Sequence, residues 1–148
     1  MTLTPGDSAK NWFESVWNQG RRETIAEMLA PEVVFHDGGT TSIGVQPFQQ
    51  FFDRMQATFS KIHIDVEDTL VDGDKVCVRW TCKALHTGEG FGIPPTGIEI
   101  HVTGISVICV VNAKFVEAWQ NWDMLALMDQ MEVSRILCKR WFLVLALG

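Results

Sequence analysis

The sequence predicts an α+β fold in which N-terminal helices pack on one face of a curved antiparallel sheet and close it into a cone-shaped roll. Two observations support this prediction. Apolar residues recur at helical spacing up to about residue 59, whereas from about residue 61 they alternate with polar residues, as in strands. The strand-like segments follow one another with turn signals between them, which is typical of an antiparallel sheet.

Three helices are predicted before the change of period. We expect Asp7 to cap the first helix and Gly20 to end it. A short second helix is expected over residues 23–29, and a third over residues 45–59. Between them, "EVVFHDGG" predicts a short strand that ends in a glycine turn. The buried face of the first helix is expected to carry Trp12, Phe13, Val16 and Trp17.

Four longer strands and a last helix are predicted in the second part of the chain. "KIHIDVEDTLV" and "VCVRWTCKALH" are joined by the hairpin signal "DGDK". A loop rich in proline and glycine, "TGEGFGIPPTG", then leads to "IEIHVTGISVICVV". A turn at Asn112 and Ala113 leads to "KFVEAWQNW", and a helix is expected from Asp123 onwards. Such a sheet, curled around aromatic helices, encloses a cavity unless aromatic side chains fill it, and the composition leaves both outcomes open.

Net charge and composition argue against several classes of protein. The chain has 12 basic and 18 acidic residues, a formal charge of −6, so it lacks the basic face that nucleic acid requires. The N-terminus has no basic start followed by an apolar segment, and no apolar run approaches the ~20 residues of a membrane span. We therefore expect a cytoplasmic protein with no nucleic-acid or membrane partner.

The sequence also indicates neither a metal nor a cofactor. The four cysteines form no C-x-x-C pair, and no histidine or carboxylate cluster has the spacing of metal ligands. The segment "GEGFGIPPTG" follows a strand but opens no helix, so it is not a dinucleotide-binding loop.

One domain is predicted over residues 1–133, followed by an apolar extension over residues 134–148. The extension could wrap back onto the domain, cover the mouth of the cone or join a dimer interface. A homodimer is expected because an open sheet face rich in valine, isoleucine and tryptophan needs covering.

Several segments resemble the SnoaL-like polyketide cyclases, members of the nuclear-transport-factor-2-like superfamily. The most specific are "ALHTGEGFGIPPTGIEIHVTGISV" and "KFVEAWQNWDMLALMDQM", and the resemblance extends over roughly residues 11–131. It implies a cone-shaped fold whose pocket binds a hydrophobic carbonyl compound. It also implies a cofactor-independent aldol cyclisation in which an aspartate at the end of the last strand, here Asp123, is the general acid/base. The superfamily also contains isomerases, dehydratases, hydrolases and proteins without known catalysis.

Two roles are open for Asp123. Residues of one parity on a strand share a face, so Asp123 faces the cavity if Trp119 does. An apolar pocket would raise the pKa of its carboxyl towards the pH at which a general acid/base works best. The alternative is an N-cap of the following helix, a common position for aspartate.

Other residues are further candidates for the site. Asn121 stands where some cyclases have an assisting histidine, and Cys109 stands where a polar residue is usual in the family. These departures keep a second hypothesis open, a non-catalytic ligand-binding or dimerisation module, as well as a hydrolase or dehydratase. The side chains predicted to contact a ligand are Trp17, His36, Phe52, Trp80, His86, His101, Trp119 and Asn121.

Overall fold

The computed structural model describes residues 3–132, which form one six-stranded sheet with helices packed on one side. The helices are α1 (Pro5–Trp12, continued by a π-helical segment, Phe13–Asn18), α2 (Arg22–Met28), α3 (Val45–Thr58) and α4 (124–132). The strands are β1 (Leu29–Asp37), β2 (Thr40–Ile43), β3 (Phe59–Asp72), β4 (Lys75–His86), β5 (Glu99–Val111) and β6 (Lys114–Trp122). The predicted α+β cone is confirmed. The extension predicted over residues 134–148 lies outside the described residues.

The first helix begins at a different residue from the one predicted. Thr4 is the N-cap, and its hydroxyl oxygen accepts a hydrogen bond from the Asp7 backbone N–H at 3.1 Å. Asp7 is the third helical residue and completes a capping box, because its carboxylate accepts from the Thr4 backbone N–H. The sequence pattern therefore placed the N-cap three residues too late, at the other member of the capping box.

A π-helical segment ends this helix and connects it to the sheet. The wider turn gives a hydrogen bond from the Gln19 backbone N–H to the Glu14 carbonyl oxygen at 2.9 Å. At its end, the Asn18 carboxamide bonds both backbone groups of Ile64, at 2.9 Å and 2.7 Å. These bonds occupy polar backbone groups of β3 near a shift in its register between Ser60 and His63. The segment is thereby fixed over the inner face of the sheet, which we define as the face covered by α1 and α3.

The strand order is β2-β1-β6-β5-β4-β3. All neighbouring pairs are antiparallel except β1 and β6, which run parallel, so the expectation of an entirely antiparallel sheet was wrong for this pair. The sequence also missed β2, which pairs with β1 through a tight turn at Gly38 and Gly39, both at positive φ. The parallel pairing brings the early strand β1 beside the last strand β6.

A register shift in β6 determines which side chains face inwards. Val110 pairs with Phe115, but the next residue back, Cys109, pairs with Glu117. Val116 is thus an extra residue, and such a bulge reverses the alternation of side chains after it. Phe115 points inwards and is 1% exposed, whereas Glu117 points to the outer face.

The centre of the sheet holds a tryptophan against bare backbone. Trp80 on β4 pairs with Gly104 on β5, and a Cβ atom at Gly104 would overlap the indole ring. The indole N–H donates to the Ser106 hydroxyl at 3.0 Å, so the one polar atom of the buried ring is paired. Phe13 packs on the ring from above, with 6.4 Å between ring centroids.

Helix α4 closes one end of the sheet. Asp123 is its N-cap, with a carboxylate oxygen that accepts from the Ala126 backbone N–H at 2.9 Å. The Gln130 carboxamide bonds both backbone groups of His101, at 2.8 Å and 2.9 Å. Leu127 and Met131 are fully buried below it. Within residues 3–132, no helix is long and apolar enough to cross a membrane, and the cytoplasmic location stays a prediction.

Replacing Gly104 with alanine should destabilise the protein by about 1–3 kcal/mol, the usual cost of inserting a methyl group into a packed site. The added Cβ would displace the Trp80 ring from the sheet. Urea unfolding monitored by circular dichroism measures the change. Thr103→Ala, at an exposed neighbouring position, serves as the control. Wild-type stability of the Gly104→Ala protein would show that the ring is not held there.

Candidate functional site

An apolar cavity lies between the helices and the inner face of the sheet. Its volume, measured as the space that the centre of a water molecule can reach, is about 70 Å³. Gln120 is the one carboxamide among its described lining residues, and the others are aliphatic, aromatic or sulfur-containing. The lining residues are Phe13, Trp17, Phe51, Met55, Phe59, Ile62, Ile64, Trp80, Cys82, Ala84, Ile100, Val102, Gln120, Trp122 and Leu127.

An acidic residue adjoins this cavity on β1. Phe35 points inwards, where it stacks on Phe48 of α3 at 4.8 Å, and Asp37 has the same parity. Asp37 pairs with Gln120 across the parallel β1–β6 ladder. The Trp122 side chain, which itself lines the cavity, lies near enough to the Asp37 carboxyl to influence its pKa. Asp37, Gln120 and Trp122 therefore form one group at the β1–β6 end of the cavity.

The surroundings of Asp37 favour its protonated form. Burial of the carboxyl raises its pKa above the usual 3.8, because an apolar setting disfavours the charged state. The nearby Trp122 side chain lowers the pKa and is the smaller effect. A carboxyl with these two influences can both release and take up a proton nearer to neutral pH than an exposed aspartate.

Two of the predicted ligand-contacting residues line the cavity and a third supports them. Trp17 on the π-helical segment and Trp80 on β4 are both part of its wall. Phe52 lies in the core and packs against Trp17, with 5.3 Å between ring centroids. The π-helical segment thus places aromatic rings over a cavity whose floor is Trp80.

His36 and Trp119 lie on the outer face, opposite to the side that the prediction required. The two rings stack at 5.2 Å with an angle of 11° between their planes. The Nε2 atom of His36 is 2.8 Å from a Glu117 carboxylate oxygen. The ammonium of Lys75 lies 5.8 Å from the Trp119 ring centroid. The bulge at Val116 turns Trp119 outwards, and His36, its ladder partner on β1, lies on the same side.

The same reversal moves the other predicted residues of β6 outwards. Asn121 and Asp123 line an outer groove together with Thr103 and Arg79. As their parity predicts, Trp119, Asn121 and Asp123 share a side, and in the structure this side is the outer one. The predicted cap at Asp123 is confirmed, whereas its catalytic role stays a prediction. His101 is also on the outer face, exposed, with Nε2 at 2.8 Å from Glu99.

His86 is fully buried at the end of β4 and does not line the cavity. Its Nδ1 atom is 2.9 Å from the Thr96 hydroxyl, and its ring packs on Phe59 at 5.6 Å. Burial lowers the pKa of the imidazole, an effect that a backbone interaction with Gly88 partly offsets. The Nε2 atom has no hydrogen-bond partner among the described residues. These contacts connect the loop after β4 to the sheet.

Cys82 and Cys109 lack the low pKa that a nucleophilic cysteine has. Burial raises the pKa of the Cys82 thiol in the cavity wall to about 11, so it is protonated at neutral pH. Burial also raises the pKa of Cys109, whose ladder partner is Glu117. Among residues 3–132, no three histidine, cysteine or acidic side chains converge as metal ligands would.

Sequence reasoning missed Asp37, Gln120 and Trp122. One signal for Asp37 was present: Val33, Phe35 and Asp37 alternate on one side of a strand whose apolar members must face the core. Gln120 and Trp122 gave no comparable signal, because the bulge that turns them inwards follows from pairing with β5.

The cone-shaped sheet and its cavity are those of the nuclear-transport-factor-2-like class of α+β folds. Residues 8–131 match the family model of the SnoaL-like polyketide cyclases. The chain therefore belongs to the SnoaL-like polyketide cyclase family, as the sequence resemblance predicted. No curated protein matches the chain significantly in sequence.

Solved structures share this fold. A protein assigned as a polyketide cyclase from Acidithiobacillus ferrooxidans is 24% identical, with a TM-score of 0.80 over 90% of this chain and 99% of that one. IdmH, assigned as a polyketide cyclase from Streptomyces antibioticus, is 26% identical, with a TM-score of 0.77 over 89% and 98%. A protein from Catenulispora acidiphila with a ketosteroid isomerase-like fold, solved with trimethylamine, is 14% identical, with a TM-score of 0.72 over 87% and 95%.

The burial of His86 predicts a loss of stability in mild acid. Its folded-state pKa lies below the ordinary value of 6.5, so the unfolded chain binds the proton more readily. The free energy of unfolding should therefore fall as pH drops below about 6.5. His86→Gln should lose less stability between pH ~7.5 and ~5.5 than the wild type, as measured by urea unfolding. His63→Gln, at an exposed position, is the control, and equal losses in all three proteins would contradict the assignment.

Proposed function

We propose that this protein is a cofactor-independent enzyme that moves a proton on a small hydrophobic carbonyl compound, with Asp37 as the general acid/base. The reaction type is that of an aldol cyclase or an isomerase. The observation that carries the proposal is a half-buried carboxyl of raised pKa whose ladder partner, Gln120, lines an apolar cavity. Family membership supports the same type of reaction.

The proposed chemistry follows from the two influences on Asp37. As a carboxylate it removes a proton from the carbon next to the carbonyl group of the ligand, and as a carboxylic acid it returns the proton to carbon or oxygen. Burial raises the pKa of this carboxyl above its ordinary value, so its carboxylate is a stronger base than that of an exposed aspartate. The Trp122 side chain has a smaller, opposite effect and favours the charged form.

Asp37 is better placed for this role than Asp123. The Asp123 carboxylate is exposed on the outer side and is used as a helix cap. Asparagine caps helices as well as aspartate does, so Asp123→Asn removes the charge and keeps the cap. The two aspartates can therefore be compared through the same substitution.

Asp37→Asn should reduce proton transfer on a ketone by about 10²- to 10⁴-fold, the usual contribution of a general acid/base. The assay is exchange of the α-protons of cyclohexanone for solvent deuterium, followed by NMR. Asp123→Asn should retain wild-type exchange. In the wild type, exchange should decline as pH falls through a pKa above the usual carboxyl value, because the base becomes protonated.

Three results of this comparison would contradict the proposal. Loss of exchange in Asp123→Asn alone would move the catalytic role to Asp123. Full exchange in Asp37→Asn would remove Asp37 from the reaction. Binding of ketones with no exchange by the wild type would favour a non-catalytic ligand-binding module of the same fold.

We also propose that two copies of the chain associate through the outer face of the sheet. Ile105 at the centre of this face is 48% exposed, beside the outer groove that contains Val107 and Trp119. Exposed aliphatic and aromatic side chains on a sheet face are stabilised when a partner covers them. One basic and one acidic side chain, Arg79 and Asp123, also line the groove, so a two-fold pairing of this face can match opposite charges.

Ile105→Glu should convert the dimer to a monomer, because it would bury two charges at the centre of the contact. Light scattering at micromolar concentration measures the mass. Leu125→Glu, at a 71% exposed position on α4, should leave the dimer intact. A wild-type protein of monomer mass would contradict the association.

A further inference from the structure

We propose that the Gln120 carboxamide is the group that anchors the ligand, and that the ligand is a compact, single-ring carbonyl compound whose oxygen accepts a hydrogen bond from the Gln120 side chain. This inference rests on the proposed function, because it takes the ligand to be a carbonyl compound and Asp37 to be the proton carrier. It adds the residue that orients the ligand and the size class of the ligand.

The first argument is the chemistry of the cavity wall. Gln120 projects a carboxamide among apolar lining residues. Among residues 3–132 this carboxamide has no partner, in contrast to that of Gln130, which is held by His101 and Ala126. A donor facing an apolar cavity gains most from a ligand that brings an acceptor with it, because water is otherwise the only partner available. A ligand with one oxygen at this end and a hydrocarbon body matches the wall.

The second argument is the position of Gln120 beside the proposed proton carrier. Gln120 and Asp37 are partners across the β1–β6 ladder. Trp122 lines the same cavity wall as Gln120, and its side chain influences the pKa of Asp37. Residues directly paired in a ladder lie about 5 Å apart. A carbonyl oxygen bonded to Gln120 therefore places its α-carbon towards Asp37. When that carbon loses its proton to Asp37, negative charge develops on the oxygen, and the Gln120 N–H stabilises it.

The third argument is size. The cavity volume is about 70 Å³. One water position takes roughly 10–15 Å³ by this measure, so the cavity offers about five to seven such positions. That space fits one six-membered ring with a carbonyl group, whereas a fused tricyclic or tetracyclic compound would have to displace Trp17, Trp80 or Leu127 from the wall.

The test compares cyclohexanone, cyclohexane and anthrone, a fused tricyclic ketone, in titrations followed by the indole N–H signals in NMR. Gln120→Leu removes the donor and keeps the volume. It should weaken cyclohexanone binding roughly three- to tenfold, the value of one hydrogen bond, and leave cyclohexane binding unchanged within about twofold. Anthrone should not bind to the cavity of the wild type.

Infrared spectroscopy separates hydrogen bonding from packing. The carbonyl stretching band of bound cyclohexanone should lie at lower frequency in the wild type and return towards its value in hydrocarbon solvent in Gln120→Leu. The matched control is Asn121→Leu, which removes the same amide chemistry from the next residue on the outer face. It should change neither affinity nor frequency. Gln120→Met is the second donor-free variant and replaces Gln120→Leu if the latter does not fold.

The anchoring role is overturned if Gln120→Leu weakens the binding of cyclohexanone and cyclohexane equally, or weakens neither. It is also overturned if the carbonyl band of bound cyclohexanone does not move. The size class is overturned if anthrone binds in the cavity as tightly as cyclohexanone. These readouts measure binding and not turnover. Asp37→Asn should change the affinity for cyclohexanone by no more than about threefold, the smallest effect expected from one hydrogen bond. The Gln120 result can therefore be interpreted even if the proposed catalysis fails.

Discussion

The contact between the Trp80 indole and the bare backbone of Gly104 determines the shape of the interior. Because Gly104 has no side chain, the large ring can lie flat across the neighbouring strand, with its N–H paired to Ser106. The ring then forms the floor of the cavity and supports Phe13 from the π-helical segment. A larger residue at position 104 would lift the ring into the space that a ligand needs. The apolar cavity therefore depends on a glycine because that residue has no side chain.

One extra residue in β6 separates two different chemistries on the two faces of the sheet. After the bulge at Val116, the inner face carries Gln120 and Trp122 next to Asp37, a group that can hold and move a proton. The outer face carries Trp119 stacked on His36, with Glu117 and Lys75 around them. Both groups join β1 to β6, one on each side of the same ladder. The outer group stabilises the parallel pairing from the face opposite the cavity. It thereby holds together the two strands that carry the inner group.

Most of the fold was predictable because periodicity and turn chemistry are local. The helical spacing of Trp12, Phe13 and Trp17, the alternation along β3, and the turn at Asn112 and Ala113 are all present in the structure. The site was less predictable, because its side chains are oriented by distant pairing. The bulge at Val116 exists only against β5, and the parallel contact between β1 and β6 leaves no mark in either strand. Alternation alone therefore does not tell which side of β6 faces the cavity, and the predicted ligand contacts Trp119 and Asn121 lie on the outer face.

The parallel β1–β6 ladder also has a consequence for how the chain folds. Its partners are distant in sequence, as the 81 positions between His36 and Glu117 illustrate, whereas β3 to β6 form successive hairpins. Contacts between distant segments carry a larger loop-closure entropy, so they tend to form after local ones. The β3–β6 meander can assemble as a template before β1 and β2 dock at its edge. Asp37 would then meet Gln120 only in the last stage of folding, and a chain arrested before that stage would have most of its sheet and no complete site.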